Sequence, residues 1–417
     1  MKTYLCIDLK TFFASVECVE RGLDPFKTDL VVADPSRGKG ALCLAISPKM
    51  KERGIHNRCR LFEIPEDVEY LTALPRLKLY MEYSARIYGI YLRYVAKEDI
   101  HVYSIDEAFL DITSYMKLYH KDAKEFAQML LEDVFSTTGM TATVGIGTNM
   151  YLAKIAMDII AKHSSDFMGF LDEKSYQEKI WYYTPITDLW HIGGGTARRL
   201  AKYGVYDMHG ITLLDEKILY KEFGVNAEYL IDHAWGREST TIADIQGYHA
   251  KGHSVSNSQV LFEDYNYEDA LLVVKEMVEL NVLNLVEKHL VTNHISLGIG
   301  YSNNTIASTG GSMKLELCTN SYAYLLPYFI YLFKRTTNQE YAIRTIAISF
   351  GNVKDEKYET YDLFTDYEAI LKEKNLQNAL IEIKHKYGKN AVLKGMNLYK
   401  HATTPKRNTL IGGHNAY

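Results

Sequence analysis

The sequence is poor in cysteine and contains no long apolar run. Its five cysteines are odd in number and form no Cys-x-x-Cys pair, which argues against a zinc ribbon or a disulfide framework. No stretch of about 18 apolar residues occurs, so a transmembrane helix is not expected. The N-terminal apolar stretch contains Asp8 and lacks the long core and cleavage site of a signal peptide. We therefore expect a reduced, cytoplasmic protein.

An excess of positive charge is also absent. The 417 residues include 47 Lys and Arg against 52 Asp and Glu, a net charge of -5, which excludes a strongly basic nucleic-acid binder at the level of the whole chain. Residues 383–417 are the exception, because they contain Lys and Arg but no Asp or Glu. The 47% apolar and 24% charged residues are typical of a globular protein, and the length suggests roughly two to four domains.

The order of strand and helix signals predicts an α+β multidomain protein. Residues 1–165 alternate strands and helices around a mixed or antiparallel sheet. Short helices follow over 166–240, and the polar, glycine- and serine-rich stretch 241–257 suits a linker. Residues 258–352 show a β-α-β-β-α-β order, typical of a four-stranded sheet with two helices on one face. The tail 353–417 contains a polar turn, one helix and the basic segment.

Two adjacent carboxylates, Asp106 and Glu107, interrupt an apolar strand. Such a pair is costly unless it is solvated or binds a cation. Neighbouring strand residues point to opposite faces, so both can serve one metal site only near a strand end or bend. The alternative is a hairpin turn with two exposed acids. Asp8 ends the first strand, and three carboxylates from two strand ends can hold two Mg²⁺ ions about 3.5–4 Å apart for displacement at phosphorus.

Two motifs carry a family resemblance: Ile7-Asp8-x-x-x-Phe12-Phe13-Ala14-Ser15-Val16-Glu17 and Ser104-Ile105-Asp106-Glu107-Ala108. Together they closely resemble the Y-family translesion DNA polymerases. The chain looks most like the UmuC type, the catalytic subunit of bacterial DNA polymerase V, with UV-damage-repair relatives in Gram-positive bacteria. The resemblance covers essentially the whole chain. It implies a right-hand polymerase with a palm (1–24 and 72–165), fingers (25–71), a helix-hairpin-helix thumb (166–240), a little finger (258–352) and the tail.

The implied activity is error-prone, template-directed addition of deoxynucleotides to a primer 3′ end, in DNA damage tolerance and the SOS response. By resemblance, Asp8 and Asp106 bridge two Mg²⁺ ions, Glu107 serves the primer-side metal, and the backbone carbonyl of Leu9 completes the nucleotide-side metal. No side chain is needed as a general base. Two alternatives stay open: a palm-type nucleotidyl cyclase, and a non-catalytic DNA- and clamp-binding checkpoint factor.

The resemblance also assigns the sugar-selecting residue. Phe13 matches the steric gate, whose ring lies under the nucleotide sugar and excludes a 2′-hydroxyl. The alternative for both Phe12 and Phe13 is plain core packing. Adjacent helical residues lie about 100° apart, so we expect one of the two to pack inward and the other to face the site. The resemblance implies that Phe13 is the exposed one, and it places Phe12 among the nucleotide-binding residues as well.

The triphosphate requires cations, and two lysines fit. Lys51 matches the cationic position of the fingers, whereas Pro48 stands where many relatives have Tyr, so that Ser47 or Lys49 would have to supply the missing contact. Lys162 resembles the second phosphate lysine, although this chain has one extra residue before it. Outside the motif, either lysine could be an ordinary solvated side chain.

Residues 41–47 alternate small and large side chains. Period two places Ala41, Cys43, Ala45 and Ser47 on one strand face. Our hypothesis is that the large face packs into the fingers while this small face forms a roof over the nascent base pair. The alternative is that the small face meets solvent or another backbone.

Other segments predict contacts with DNA and with a partner protein. The candidates are Gly193, Gly195, Thr196 and Arg198 in the thumb hairpin, Lys251, Lys314, Arg335 and Arg344 in the little finger, and Tyr361, Leu363 and Phe364 in the tail. Glycines let backbone N–H groups approach a DNA phosphate at a helix N-terminus. The tail peptide resembles the end of a sliding-clamp-binding motif, with Thr360 where a Gln normally leads; otherwise it packs on its own domain. A UmuD-like accessory protein and RecA are partners implied by the resemblance alone.

Overall fold

The structure, a computed structural model, describes residues 2–250 and 252–417. It divides into two compact units, the first formed by Met1–Tyr248 with Ala416–Tyr417 and the second by His249–Asn415. In the described part of the chain, no helix is long and apolar enough to cross a membrane.

The first unit contains twelve α-helices and eight strands among its described residues. The helices are α1 (Phe12–Val19), α2 (Pro48–Glu52), α3 (Leu77–Tyr91), α4 (Tyr115–Tyr119), α5 (Ala123–Thr138), α6 (Met150–Ile155), α7 (Glu173–Lys179), α8 (Gly194–Ala201), α9 (Met208–Thr212), α10 (Glu216–Phe223), α11 (Ala227–Ala234) and α12 (Ile242–Gly247). The strands are β1 (Tyr4–Leu9), β2 (Leu30–Val32), β3 (Ala45–Ile46), β4 (Leu71–Ala73), β5 (Ile100–Val102), β6 (Glu107–Asp111), β7 (Ala142–Gly147) and β8 (Met168–Leu171).

The main sheet of this unit has the strand order β5-β6-β1-β7-β8, and β1 pairs antiparallel with β6 and with β7. Alternation along β1 sends Leu5, Ile7 and Leu9 into a core shared with α3 and α5. Tyr4 and Cys6 face the opposite side, where α6 packs. Asp8 therefore lies on the α6 side, at the end of the central strand.

Helix α6 lies unusually close to β7. A Cβ atom on Gly145 would lie 2.0 Å from the carbonyl oxygen of Ala153, and one on Gly147 would lie 2.2 Å from the backbone nitrogen of the same residue. Only glycine leaves room for this approach. The two glycines thus bring α6 and the turn after it over the end of the sheet where Asp8 lies.

The segment 25–71 forms a small sheet of order β3-β2-β4 with its own core. The strand predicted over 41–46 is limited to Ala45–Ile46. Cys43 is fully buried in the core of this segment, whereas Leu42 is 36% exposed. The hypothesis that the small face forms a roof over the base pair is therefore wrong, because Cys43, Ala45 and Ser47 are buried within the protein.

The second unit confirms the predicted β-α-β-β-α-β order. Its main elements are β9 (Val255–Tyr265), α13 (Tyr267–Glu287), β10 (Leu290–Tyr301), β11 (Thr309–Thr319), α14 (Tyr322–Thr336) and β12 (Ile343–Gly351). The strands form an antiparallel sheet of order β11-β10-β12-β9, and the apolar faces of both helices pack on one side of it. The remaining elements are β13 (Lys354–Asp355), α15 (Tyr367–Tyr387), α16 (Thr404–Arg407), β14 (Leu410–Ile411) and β15 (His414–Asn415).

The linker is shorter than the sequence suggests. The predicted stretch 241–257 contains α12, whose Thr241 and Asp244 form a reciprocal capping box and whose Ile242 is buried in the first unit. It also contains the start of β9 at Val255. The polar composition of this stretch is typical of a linker, although the stretch contains a helix with a capping box and the start of a strand.

The basic tail is folded rather than free. The buried carboxylate of Glu276 on α13 accepts hydrogen bonds from the side-chain amide of Asn397 (2.8 Å), from the backbone N–H and hydroxyl of Thr403 (2.7 and 3.0 Å) and from the backbone N–H of Thr404 (3.3 Å). These four donors attach the C-terminal segment to the helix. A simple solvated tail is therefore ruled out for this segment.

We expect Glu276→Gln to loosen this segment, because an amide N–H₂ group would face donors that now meet a carboxylate oxygen. The free energy of unfolding of the second unit should fall by about 1–3 kcal/mol, and limited proteolysis should cut faster between 388 and 415. Glu287→Gln is the control, since Glu287 lies on the same helix but pairs at the surface with His385. Equal protease sensitivity of the two variants would contradict the role of Glu276.

Candidate active site

The backbone brings the three predicted carboxylates to one edge of the sheet. Asp8 lies directly opposite Glu107 in the β1–β6 pairing. The backbone N–H of Leu9 donates to the carbonyl oxygen of Asp106 at 2.9 Å. Glu107 is the first residue of β6, and Asp106 lies in the bend before it. Adjacent acids at a strand end are the condition under which both can face one site.

The carboxylate groups themselves have other partners. Glu107 accepts hydrogen bonds from the Cys6 thiol (3.2 Å) and from Lys154 Nζ (2.8 Å). Asp106 accepts one from the Ser104 hydroxyl (2.6 Å). In the described part of the chain, no three His, Cys, Asp or Glu side chains converge into a group that could hold a metal ion. The strand pairing brings the three acids to one edge of the sheet. In this arrangement, Lys154 binds the carboxylate of Glu107 and Ser104 binds that of Asp106.

Electrostatics nevertheless connect the three acids. Burial raises the pKa of Asp8 to about 6; Lys162 opposes this rise, and repulsion from Asp106 and Glu107 adds to it. Mutual repulsion of this kind marks carboxylates that share one field, and a cation would relieve it. All of the donors are oxygen atoms, the ligands that Mg²⁺ prefers, so the chemistry of these residues suits magnesium once the side chains turn from their present partners.

Lys154 is a site residue whose contact the sequence did not reveal. It is 7% exposed, and its ammonium lies 2.8 Å from Glu107 and 3.0 Å from Asp158. Burial alone would lower the pKa of Lys154, but Cys6, Asp158 and Glu107 outweigh burial and raise it. The sequence offers one indication of these contacts: Lys154 and Asp158 are four residues apart, a spacing that brings two side chains together on a helix.

Lys162 also lies at the acidic site. Its Nζ lies 3.3 Å from Asp8 and 2.7 Å from Asp158. Residues Ala156–Ile160, which include Asp158 and precede Lys162, form a π-helical turn. Such a turn accommodates one extra residue within a helix and is frequent at functional sites. The extra residue that the resemblance implies before Lys162 has room in such a turn.

Two further lysines share the field of Lys162. Lys51 is an exposed residue of α2, and its pKa is lowered by burial of part of the side chain and by Lys162. Burial also lowers the pKa of Lys10; Glu52 opposes this, and Lys162 lowers it further. Lys10 Nζ lies over the ring of Phe167 at 4.2 Å. Lys10, Lys51 and Lys162 thus influence one another electrostatically near the acidic residues, and Lys10 was not among the residues singled out from the sequence.

Ser47 is not placed to contact a nucleotide. It is fully buried, and its hydroxyl oxygen accepts hydrogen bonds from the backbone N–H groups of Leu30 (3.1 Å) and Met50 (3.3 Å) as the N-cap of α2. Pro48 is the first residue of that helix and is buried. The Ser-Pro pair therefore starts a helix, and we leave Ser47 out of the nucleotide site.

The two phenylalanines of the first motif differ, and the assignment of Phe12 to the nucleotide site is wrong because its side chain is buried in the core. Phe12 is 3% exposed and lies in the core, whereas Phe13 is only partly buried. The ring of Phe13 stacks on Tyr80 of α3, with centroids 4.4 Å apart and planes at 16°. One face of the Phe13 ring thus packs on Tyr80, and the opposite face is turned away from Tyr80.

The thumb hairpin leaves the start of α8 open. Gly193 is the N-cap, and a Cβ atom on Gly193 or Gly195 would meet nothing within 4 Å. Thr196 is half-buried and Arg198 is exposed. The first N–H groups of α8 are therefore accessible.

The predicted contacts of the second unit are dispersed. Lys314 is exposed on β11, on the sheet face away from the helices, whereas Arg335 lies on α14. Arg344 forms an ion pair with Asp264 at 3.4 Å. Lys251 lies outside the described residues. The three described positions lie on three different elements.

The tail peptide is strongly exposed. Leu363 is 100% exposed, Phe364 is 94% exposed and Tyr361 is 44% exposed. Asp362 and Thr365 bond to each other and hold the intervening residues in a turn. The prediction that Leu363 and Phe364 could simply pack on their own domain is therefore wrong.

The chain resembles known proteins over nearly its whole length. Residues 7–158 match the model of the impB/mucB/samB family, and residues 252–363 match the C-terminal domain of the same family. The chain is 31% identical to a candidate UV-damage repair protein, UvrX, of Bacillus subtilis strain 168, over 99% of this chain and 97% of that protein. It is 26% identical to DNA polymerase IV 2 of the same organism, over 99% and 98%.

A solved structure shares the fold. A Y-family DNA polymerase chimera of Dbh and Dpo4 superposes with a TM-score of 0.65 at 19% identity, covering 85% of this chain and 99% of the chimera. The sequence motifs, the family matches and the full-length relatives point the same way. The chain belongs to the impB/mucB/samB family of Y-family DNA polymerases.

Proposed function

We propose that the chain is a translesion DNA polymerase that adds deoxynucleotides to a primer 3′ end at the site of Asp8, Asp106 and Glu107. One observation carries the proposal: Lys162 Nζ lies 3.3 Å from Asp8, so that an acidic site and a cationic site adjoin. A nucleoside triphosphate requires both, because its phosphates bind cations directly and carboxylates through Mg²⁺. A nucleotidyl cyclase would require neither the thumb hairpin nor the second unit.

Bound Mg²⁺ would lower the pKa of the primer hydroxyl and neutralise the triphosphate. Asp8 and Asp106, with the carbonyl of Leu9, are the residues that would hold it. Glu107 would join them only when its carboxylate leaves Lys154, which then stays close to Asp158. The side chains of this site position charge, and none acts as a general base.

The remaining groups orient the nucleotide. Lys162, Lys51 and Lys10 bind the phosphates, which relieves the repulsion among the three lysines. The free face of Phe13 lies under the sugar and excludes a 2′-hydroxyl. Base pairing to the template supplies the choice of base.

The duplex would contact two surfaces. The open N–H groups at Gly193–Gly195 suit a DNA phosphate without sequence preference. In the second unit, Ser256, Ser349, Ser296 and Ser312 form a cross-strand row on the face away from the helices. Small hydroxyl side chains let a sugar-phosphate backbone lie close to the strands, with Lys314 as the adjacent cation.

The exposed peptide fits a sliding clamp. Leu363 and Phe364 project from a turn and bury nothing in the second unit, as expected of side chains that enter pockets of a partner. A UmuD-like protein and RecA are further partners that the resemblance implies.

The first test is Mg²⁺-dependent extension of a labelled primer on an undamaged template and on one with an abasic site. We expect Asp106→Ala to lower the rate at least about a hundredfold, because a charge that stabilises the transition state is lost. Asp111→Ala is the control, since Asp111 ends the same strand away from the site and bonds to Thr113. Equal rates for both variants would contradict the assignment. Failure of the wild type even with clamp and RecA filament would favour the non-catalytic alternative.

A second test addresses Lys162 and the π-helical turn before it. We expect Lys162→Ala to raise the KM for the nucleotide roughly tenfold or more, since a charged hydrogen bond is lost. Lys124→Ala is the control, because Lys124 pairs with Asp166 at the surface. Deleting Ile159 should leave KM nearly unchanged, because removing one residue from the π-helical turn restores α-helical spacing and keeps Lys162 on the side of Asp8. An unchanged KM in Lys162→Ala would contradict its role at the phosphates.

A third test addresses the peptide. The double variant Leu363→Ala, Phe364→Ala should lose clamp binding in a pull-down and clamp stimulation of extension, while the melting temperature and clamp-free activity stay unchanged. Leu376→Ala is the control, because Leu376 is 61% exposed on α15 of the same unit. Clamp binding that survives the double variant would place the contact elsewhere.

A further inference from the structure

Glu17 is a fully buried carboxylate at some distance in sequence from the metal site. Arg76 donates two hydrogen bonds to it, from Nε to Oε1 at 3.0 Å and from Nη2 to Oε2 at 2.7 Å. The Tyr80 hydroxyl donates to Oε1 at 2.7 Å, and Arg21 bonds to Oε2. Burial alone would raise the pKa of Glu17, but Arg76, Arg21 and Tyr80 outweigh burial and lower it. The carboxylate is therefore charged and fixed in its plane.

Tyr80 connects this carboxylate to Phe13. The Tyr80 side chain is fully buried, its hydroxyl bonds to Glu17, and its ring forms the surface on which the Phe13 ring stacks. One end of the Tyr80 ring is thus held by a charge-assisted hydrogen bond, which is shorter and stronger than a neutral one. The two guanidinium groups prevent Glu17 from following any movement of the tyrosine.

We propose that Glu17, acting through Tyr80, sets the position of the Phe13 ring and thereby the discrimination between deoxyribonucleotides and ribonucleotides. Glu17 and Tyr80 are positioning residues in this role, because neither contacts the nucleotide. The proposal rests on the proposed function of Phe13 as the residue under the sugar. Excluding a single hydroxyl requires the ring to be held within about 0.5 Å, which a supporting shell must provide.

A plain structural role of Glu17 would be to tie α1 to α3. The chain offers a matched comparison, since Tyr83 donates to Glu20 at 2.7 Å and ties the same two helices one turn further along. Within residues 2–250 and 252–417, the aromatic rings in contact with Phe13 are those of Phe12 and Tyr80. The Tyr83–Glu20 pair therefore reproduces the helix contact without the support of the gate.

The experiment measures kcat/KM for a deoxynucleotide and for the matching ribonucleotide on one primer-template, in the full-length protein. The variants are Tyr80→Phe, Glu17→Gln, Tyr83→Phe and Phe13→Ala. The ratio of the two kcat/KM values is independent of the folded fraction, because both substrates meet the same enzyme preparation. A variant that folds poorly thus still reports on selectivity.

We expect Tyr80→Phe and Glu17→Gln to lower the deoxy-to-ribo ratio about threefold to tenfold, the effect of one lost hydrogen bond. Tyr83→Phe should leave the ratio unchanged, and Phe13→Ala should lower it most. Unchanged ratios in both support variants, with a lower ratio in Phe13→Ala, would overturn the proposal and keep Phe13 as the gate. Equal losses of the ratio in Tyr80→Phe and Tyr83→Phe would show that the effect comes from the packing of the two helices and not from support of the Phe13 ring. No change in Phe13→Ala would refute the gate and the proposal together.

Discussion

The pairing of β1 with its two antiparallel neighbours is the contact on which the candidate active site depends. It places Asp8 opposite Glu107, brings Asp106 next to Leu9 and sends the apolar side chains of β1 into two separate cores. A shift of one residue in this register would move Asp8 into the core with α3 and α5. Two-sided burial of the strand prevents that shift, so the stability of the core and the geometry of the acids have the same cause.

Buried carboxylates have three different fates in this protein, depending on their donors. Glu276 meets amides and a hydroxyl and holds a chain segment. Glu17 meets two guanidinium groups and a phenol and holds a ring. Glu107 meets one ammonium and one thiol, a weaker set of donors that another cation can replace. Glu276 and Glu17, which have the stronger sets of donors, lie outside the proposed metal site. Glu107, which has the weaker set, lies within it.

The sequence was sufficient for the parts of the site that follow from local rules. Helical geometry separates Phe12 from Phe13, and strand ends explain the acids. Ser47 differs from its predicted role because Ser-Pro is a helix start, and its hydroxyl caps α2 and does not face the nucleotide site. The partners of Glu107 and Glu276 come from segments far away in sequence, so no local pattern could reveal them. The predicted linker and tail were too long because polar composition conceals caps and buried carboxylates.

The close packing of α6 on β7 has a consequence for how this protein tolerates mutation. Gly145 and Gly147 lie in the interior of a strand, where a side chain would collide with the backbone of the helix. Since that helix leads to Lys154 and Lys162, any larger residue at either glycine would push two site lysines outward. Two positions outside the candidate site are thus closed to any residue larger than glycine in this fold, and their effect would be felt at the site lysines.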